Sequence, residues 1–121
     1  MPSIETVDRF VSLVEAGHGV AAIEQFYAEH ASMQENCAAP RVGKAALLAF
    51  EHAAQASVSQ LLSSCVRPVL IAGDVVVIRW VFSYTTRSGQ AVRFEELAHQ
   101  QWEGDRIVQE RFFYDPAQFK V

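Results

Sequence analysis

The stretch EELAHQQWEGDRIVQERFFYDP, from Glu95 to Pro116, decides the fold of the second half of the chain. On both sides of Gly104-Asp105, every second residue belongs to a more apolar and aromatic set. Such alternation is typical of strands, whose successive side chains point to opposite faces of a sheet. The glycine suits the tight turn of a β-hairpin. The stretch therefore predicts two antiparallel strands, over residues 91–102 and 107–114.

The residues before this hairpin predict two further strands. Residues 66–72 form one, and residues 75–87, rich in β-branched and aromatic side chains, form the next. The turns between them fall at Gly73-Asp74 and Ser88-Gly89. Because the four strands are consecutive and joined by short turns, they predict an antiparallel meander.

The first half of the chain predicts three helices. Apolar residues at the spacing of one buried helix face are Ile4, Val7, Phe10, Val11 and Val14. Ser3 is the candidate N-cap of this helix, and Gly17-His18-Gly19 ends it. A second helix begins near Val20 and buries Ile23 and Phe26. Residues 44–56, rich in alanine and leucine, predict the third.

Residues 31–43 lack helical periodicity and predict a short strand followed by a Pro/Gly loop. Three helices followed by a meander predict an α+β fold, in which the helices pack on one face of the sheet. The length of 121 residues predicts a single domain over residues 1–121.

The alternation along the strands also separates an inner from an outer face. The more aromatic set of each strand should face the helices. The predicted inner residues are Trp80, Phe82, Tyr84, Phe94, Glu96, Gln100, Trp102, Glu110, Phe112 and Tyr114. The predicted outer residues are Arg79, Arg93, Glu95, Leu97, His99, Gln101, Ile107, Gln109, Arg111 and Phe113. This mixed polar and apolar outer face predicts a homodimer interface.

Glu96 and Glu110 are the unexpected members of the inner set. An ionised carboxylate among aromatic side chains is costly unless it is paired, hydrogen-bonded or protonated. A water-containing cavity would relieve that cost, and aromatic walls with a few polar groups are typical of ligand sites. The pattern predicts such a cavity. The alternative is a purely structural hydrogen bond from each acid to Gln100, Tyr114 or a helix N-terminus.

The composition excludes several classes of function. The net charge is −4, so a general nucleic-acid-binding surface is not expected, and no basic run suits anionic membranes. No apolar run approaches the roughly 20 residues of a membrane span, so we expect a soluble, cytoplasmic protein. The histidines lack metal-binding spacing, and we expect no metal. Cys37 and Cys65 predict buried or half-buried free thiols.

Three segments resemble the nuclear transport factor 2 superfamily, in its SnoaL-like and ketosteroid-isomerase-like branch. They are VDRFVSLVEAGHGVAAIEQFYAEHASM (residues 7–33), ENCAAPRVGKAALLAF (35–50) and QQWEGDRIVQERFFYDP (100–116). The resemblance rests on their order and spacing and covers nearly the whole chain. It implies a cone-shaped, curved antiparallel sheet that wraps around the N-terminal helices and encloses an apolar pocket. It also implies a homodimer and no cofactor.

The resemblance also suggests roles for individual residues. Glu35 matches the family's proton-abstracting acid before the Pro/Gly loop, Tyr27 approximates a helix-borne tyrosine donor, and Asn36 matches an asparagine of the epoxide-hydrolase-like members. The isomerases' buried acid on the third strand of the meander falls at Ala98, and the late-strand aspartate of the cyclases and hydrolases falls near Phe112. The known catalytic sets are therefore incomplete, and any chemistry would use Glu35, Glu96 or Glu110 in new roles.

Two hypotheses follow for the function. The first is a cofactor-free isomerase, cyclase or hydrolase that acts on a small, mostly apolar organic molecule, with Glu35 as base. Its ligand contacts would be Tyr27, Asn36, Trp80, Phe82, Tyr84, Phe94, Gln100, Trp102, Phe112 and Tyr114. The second is a non-catalytic small-molecule-binding protein or dimeric scaffold.

Overall fold

The computed structural model describes residues 1–119 and contains three α-helices, α1 Ile4–Glu15, α2 Gly19–Phe26 and α3 Lys44–Ala56. Ser3 caps α1 as predicted, because its side chain accepts a hydrogen bond from the Thr6 N–H at 3.1 Å. The buried face of α1 includes Val7, Phe10 and Val11. Ile4, which was predicted to be buried, is 68% exposed because it lies in the first turn, before the packed face begins.

Within the described part of the chain, residues 1–119, six strands form one sheet, and a 3₁₀ turn at Pro116–Phe119 follows the last of them. The strands are β1 Tyr27–Glu35, β2 Arg41–Val42, β3 Val58–Ala72, β4 Val75–Thr86, β5 Ala91–Glu103 and β6 Arg106–Phe113. Their spatial order is β2-β1-β6-β5-β4-β3. Strands β3 to β6 form the predicted antiparallel meander.

The sheet as a whole is mixed, because β1 pairs in parallel with β6. This pairing places Met33 beside Glu110 and Glu35 beside Phe112. The first strand was predicted to start at residue 31, but it starts at Tyr27, directly after α2. Strand β3 starts at Val58 instead of residue 66, because pairing with β4 extends into a serine-rich segment of weak intrinsic strand preference.

The predicted inner and outer faces are confirmed with one exception. Ile107 was expected on the outer face, but it is fully buried. The β5–β6 register shifts between Gln101 and Trp102, so that Trp102 pairs with Ile107 while Gln101 pairs with Gln109. A bulge of this kind shifts the alternation, so that Ile107 faces inward as well as Glu110.

On the outer face, Glu95 lies between two arginines, 2.9 Å from Arg79 and 3.3 Å from Arg93. Both cysteines are free; Cys65 is buried, but Cys37 is exposed, because it lies in the loop between β1 and β2 rather than on a packed strand. Within residues 1–119, no helix combines the length and hydrophobicity needed to cross a membrane.

Candidate functional site

A cavity of about 400 Å³ lies between the helices and the inner face of the sheet. It is lined by most of the residues that the sequence singled out: Tyr27, Glu35, Trp80, Phe82, Tyr84, Phe94, Glu96, Glu110, Phe112 and Tyr114. They come from β1, β4, β5 and β6 and from the segment just after β6, and alternation along these strands turns their side chains to the same side. Strand packing therefore collects acids and aromatic rings from distant parts of the chain in one place.

Stacked aromatic rings form one wall of this cavity. The Trp80 and Phe82 ring centroids are 5.7 Å apart, and those of Phe82 and Phe94 are 5.2 Å apart, both in stacked geometry. Phe119, from the 3₁₀ turn, packs against Phe94 and Tyr114 at 4.8 and 5.6 Å. The wall is apolar and presents flat ring faces, which suits the hydrocarbon or aromatic body of an organic molecule.

Glu110 is the acid at the centre of a buried hydrogen-bond network. The Tyr27 hydroxyl donates to one carboxyl oxygen, and the Gln100 side-chain amide donates to the other at 2.6 Å. The Trp102 indole N–H in turn donates to the Gln100 carbonyl at 2.9 Å. Burial raises the pKa of Glu110 to about 7, although both hydrogen bonds favour the ionised form. Burial and the neighbouring Glu110 also raise the pKa of Tyr27 well above its usual value.

Glu96 is the second inner acid and has a different environment. It pairs with Trp80 across β4 and β5 and lines the cavity. Among residues 1–119, its carboxyl group makes no hydrogen bond to another side chain. Burial, and then repulsion from Glu110, raise its pKa to about 8. At neutral pH the carboxyl group is therefore mostly protonated and able to donate a hydrogen bond into the cavity.

Glu35, at the end of β1, forms an ion pair with Arg41 of β2, with 2.6 Å between Oε2 and Nη2. Both side chains line the cavity. The antiparallel pairing of Met33 with Arg41 turns Arg41 to the side of the sheet that Met33 and Glu35 share. The guanidinium carbon lies 3.6 Å from the centre of the Phe50 ring, so a side chain of α3 packs against the arginine.

Three predicted ligand contacts lie outside the cavity lining. Gln100 and Trp102 are fully buried in the network around Glu110. Asn36 has a left-handed backbone with φ of 49°, and its side-chain oxygen accepts a hydrogen bond from the Tyr114 N–H at 3.0 Å. Its side chain holds the loop after β1 against the end of β6. Direct ligand contact by these three residues stays a prediction.

The sequence reasoning missed several cavity residues, above all Arg41, Phe50 and Glu51. Phe50 and Glu51 belong to α3, whose many alanines conceal which side faces inward. A signal for Arg41 was present, since it follows Glu35 by six residues across a Pro-containing loop. A hairpin at that loop would bring the two charges together.

The comparisons with known proteins agree with this architecture. Residues 7–110 match the sequence profile of the SnoaL-like domain. The chain belongs to the SnoaL-like family. The predicted resemblance to the nuclear transport factor 2 superfamily is thereby confirmed. Among curated proteins, none matches this SnoaL-like chain significantly.

Solved structures share the fold at low sequence identity. A candidate SnoaL-like polyketide cyclase from Mesorhizobium loti is 23% identical, with 91% of this chain and 97% of that chain covered and a TM-score of 0.78. A nuclear transport factor 2-like protein of unknown function from Burkholderia pseudomallei is 12% identical, with 95% and 92% covered and a TM-score of 0.81. A protein with a ketosteroid-isomerase-like fold from Catenulispora acidiphila, in complex with trimethylamine, is 14% identical, with 96% and 89% covered and a TM-score of 0.80. At these identities the likeness concerns the fold, and a fold alone does not specify a reaction.

Proposed function

We propose that this SnoaL-like protein binds a small, mostly apolar organic molecule in the cavity and catalyses cofactor-free proton transfer next to a carbonyl group. The observation that carries the proposal is that two acids with different surroundings line one apolar cavity. Glu35 is held in an ion pair with Arg41, whereas Glu96 is protonated at neutral pH. Two carboxyl groups in such different environments, one beside a guanidinium group and one buried, suit a base and an acid.

The proposed roles follow from these states. Glu35 takes a proton from the carbon beside the carbonyl group, and the electrons of the broken C–H bond move toward the carbonyl oxygen. Glu96 donates a hydrogen bond or its proton to that oxygen as negative charge develops. Glu110 acts indirectly, because its charge raises the pKa of Glu96 and its hydrogen bonds hold Tyr27 and Gln100. The stacked rings bind the apolar part of the molecule.

Hydrogen–deuterium exchange tests this proposal without knowledge of the natural substrate. Aryl-substituted cyclic ketones are incubated with the protein in D₂O, and loss of the proton signal next to the carbonyl group is followed by NMR. We expect the wild-type protein to accelerate exchange and Glu35→Gln to lower the rate by about a hundredfold or more. Glu95→Gln, on the outer face, is the matched control and should exchange as the wild type does. Equal rates for wild type and Glu35→Gln would refute the role of Glu35.

A second function, binding without catalysis, is favoured by one observation. The Glu35 carboxylate already has a partner in Arg41 at 2.6 Å, so its oxygen is occupied before a substrate arrives. Tight binding of a ketone with no exchange in any variant would support this alternative. A purely structural scaffold would show neither binding nor exchange.

We also propose a homodimer formed through the outer sheet face. Leu97 and Phe113 are direct neighbours on β5 and β6 and are 45% and 43% exposed. Leu62 and Leu70 of β3 are exposed as well, at 71% and 59%. The ion pairs of Glu95 with Arg79 and Arg93 lie among these apolar side chains, and such a mixture suits an interface.

Sedimentation velocity tests the dimer. We expect the wild type to sediment as a dimer and Leu97→Glu to raise the dissociation constant by about tenfold or more, because it buries a carboxylate at the interface. Ile4→Glu, at an apolar residue of similar size and 68% exposure on α1, should leave the dimer intact. A monomeric wild type, or equal dissociation by both variants, would exclude this interface.

A further inference from the structure

The 3₁₀ turn after β6 is tied to the sheet by the side chain of Gln118. This side chain accepts a hydrogen bond from the Glu95 N–H at 2.8 Å and donates one to the Glu95 carbonyl oxygen at 3.0 Å. Strand β6 ends at Phe113, which pairs with Leu97, so Glu95 lies beyond the last pair of β5 and β6. The Gln118 amide group therefore takes the place of a further β6 residue and satisfies both main-chain groups of Glu95.

This attachment places the ring of Phe119 at the cavity. The Asp115 side chain also accepts a hydrogen bond from the Ala117 N–H at 2.9 Å, which fixes the shape of the turn. Phe119 lines the cavity, and its ring centroid is 4.8 Å from that of Phe94. Because 36% of its surface stays exposed, the ring is accessible to a molecule bound in the cavity.

Phe119 ends a row of aromatic rings that starts beside Glu96. Trp80 is the cross-strand partner of Glu96 and stacks on Phe82. Phe82 in turn stacks on Phe94, which packs against Phe119. A molecule whose polar group lies at Glu96 would place its apolar part along this row, where ring faces favour hydrocarbon. The ring at the end of the row would then limit the length of that part.

The turn that carries this ring lies outside residues 7–110, the part of the chain that matches the SnoaL-like domain. Family membership therefore does not account for this wall of the cavity. Pro116 and Ala117 are exposed, so the contacts of Gln118 and Phe119 attach the turn to the rest of the molecule. A wall held in this way is open to change without disturbance of the core.

We propose that Phe119 is a ligand-binding residue that sets the maximum length of the apolar part of the ligand, and that Gln118 is the positioning residue that holds it there. The ligand is an elongated molecule with a polar group at one end and an aryl or aryl-alkyl body that reaches Phe119. This inference rests on the proposed function, of which it needs only the binding of an apolar organic molecule in the cavity.

A series of 4-alkylacetophenones tests the role of Phe119, because its members share a carbonyl group at one end and lengthen at the other. Trp80 reports binding by its fluorescence. In the wild type, each added CH₂ group should tighten binding by about fourfold, until the chain meets Phe119 and affinity falls. In Phe119→Ala this limit should move to chains about three CH₂ groups longer, because the deleted ring leaves space. Phe113→Ala, at a 43% exposed ring of the outer face, is the matched control and should keep the wild-type limit.

Gln118→Ala tests the positioning role. It keeps the Phe119 ring but removes both hydrogen bonds to Glu95, so the limit should again move to longer chains. Gln109→Ala, at an exposed glutamine of β6, should leave the limit unchanged. A merely structural role of Gln118 would weaken the binding of all members together without a change in the limit.

An intermolecular nuclear Overhauser effect tests the contact in the wild type, without any variant. The terminal methyl group of the longest ketone that binds tightly should lie close to the Phe119 ring, whose resonances are assigned through its backbone connectivity. A wild type without a length limit, a limit that Phe119→Ala does not move, or methyl contacts to other rings alone would overturn the inference.

The same data separate this inference from the proposed function. Binding of every ketone without a length limit would overturn the role of Phe119 and leave the binding function intact. A limit set by Phe119 without proton exchange would support this inference and refute catalysis. Absence of binding by any member would refute the proposed function and this inference together.

Discussion

The Glu96→Gln variant should be more stable than the wild-type protein at about pH 8, whereas at about pH 4 the two should unfold together. Burial beside Glu110 raises the pKa of Glu96 from 4.5 to about 8 in the folded protein. The folded protein therefore keeps a proton that the unfolded chain releases. Glutamine resembles the protonated acid in shape and never ionises, so the variant avoids the cost of a buried charge at high pH.

The direction of the pH dependence follows from this difference. Both inner acids have a raised pKa in the folded state, about 8 for Glu96 and about 7 for Glu110. Their protonated forms contribute stability that is fully present below about pH 4.5, which is their pKa in the unfolded chain. This stability is lost as the pH rises through their pKa values in the folded protein. The free energy of unfolding should fall between these limits by several kcal/mol, because each unit of pKa shift corresponds to about 1.4 kcal/mol.

Urea denaturation at a series of pH values measures this effect. The wild type should lose stability as the pH rises, and Glu96→Gln should remove a large part of the slope. Glu95→Gln replaces the neighbouring outer glutamate, whose pKa is lowered by its hydrogen bond to Arg79, and should keep the wild-type slope. A flat wild-type profile between about pH 5 and 8 would show that neither acid is desolvated.

Glu110→Ala should destabilise the protein by about 3–5 kcal/mol, because breaking a buried charged network leaves its other members without partners. Glu110 is 2% exposed and accepts hydrogen bonds from both Tyr27 and Gln100. Without the carboxyl group, a hydroxyl and an amide donor remain in the interior, and a cavity replaces the side chain. Each of these effects is unfavourable.

Thermal and urea unfolding of Glu110→Ala and Glu110→Gln measure this contribution. Glu110→Gln should cost less, since its carbonyl oxygen still accepts one of the two hydrogen bonds. Tyr27→Phe, which removes one donor together with its need for an acceptor, should cost less than Glu110→Ala. A stability of Glu110→Ala within about 0.5 kcal/mol of the wild type, as for ordinary surface substitutions, would contradict the network.

Much of the fold and part of the site are determined by local patterns in the sequence. The helical spacing of apolar residues and the Ser3 cap determine α1. The alternation of side chains along the strands of the meander turns Glu96 and Glu110 inward. These features depend on neighbours within a few residues, since successive strand side chains must alternate and a cap contacts the first turn. The placement of both acids among aromatic rings was predictable for this reason.

The partners of the acids were decided only by the tertiary structure. Tyr27 and Glu110 are 83 residues apart and meet because β1 pairs in parallel with β6, and no local period indicates that pairing. A single bulge in β5–β6 leaves Ile107 facing inward as well as Glu110. The ion pair of Glu35 with Arg41 depends on a two-residue strand too short to leave a pattern. Sequence alternation therefore determined which side chains face the cavity, whereas long-range pairing and register determined which of them meet, because contact requires a three-dimensional arrangement that local spacing does not encode.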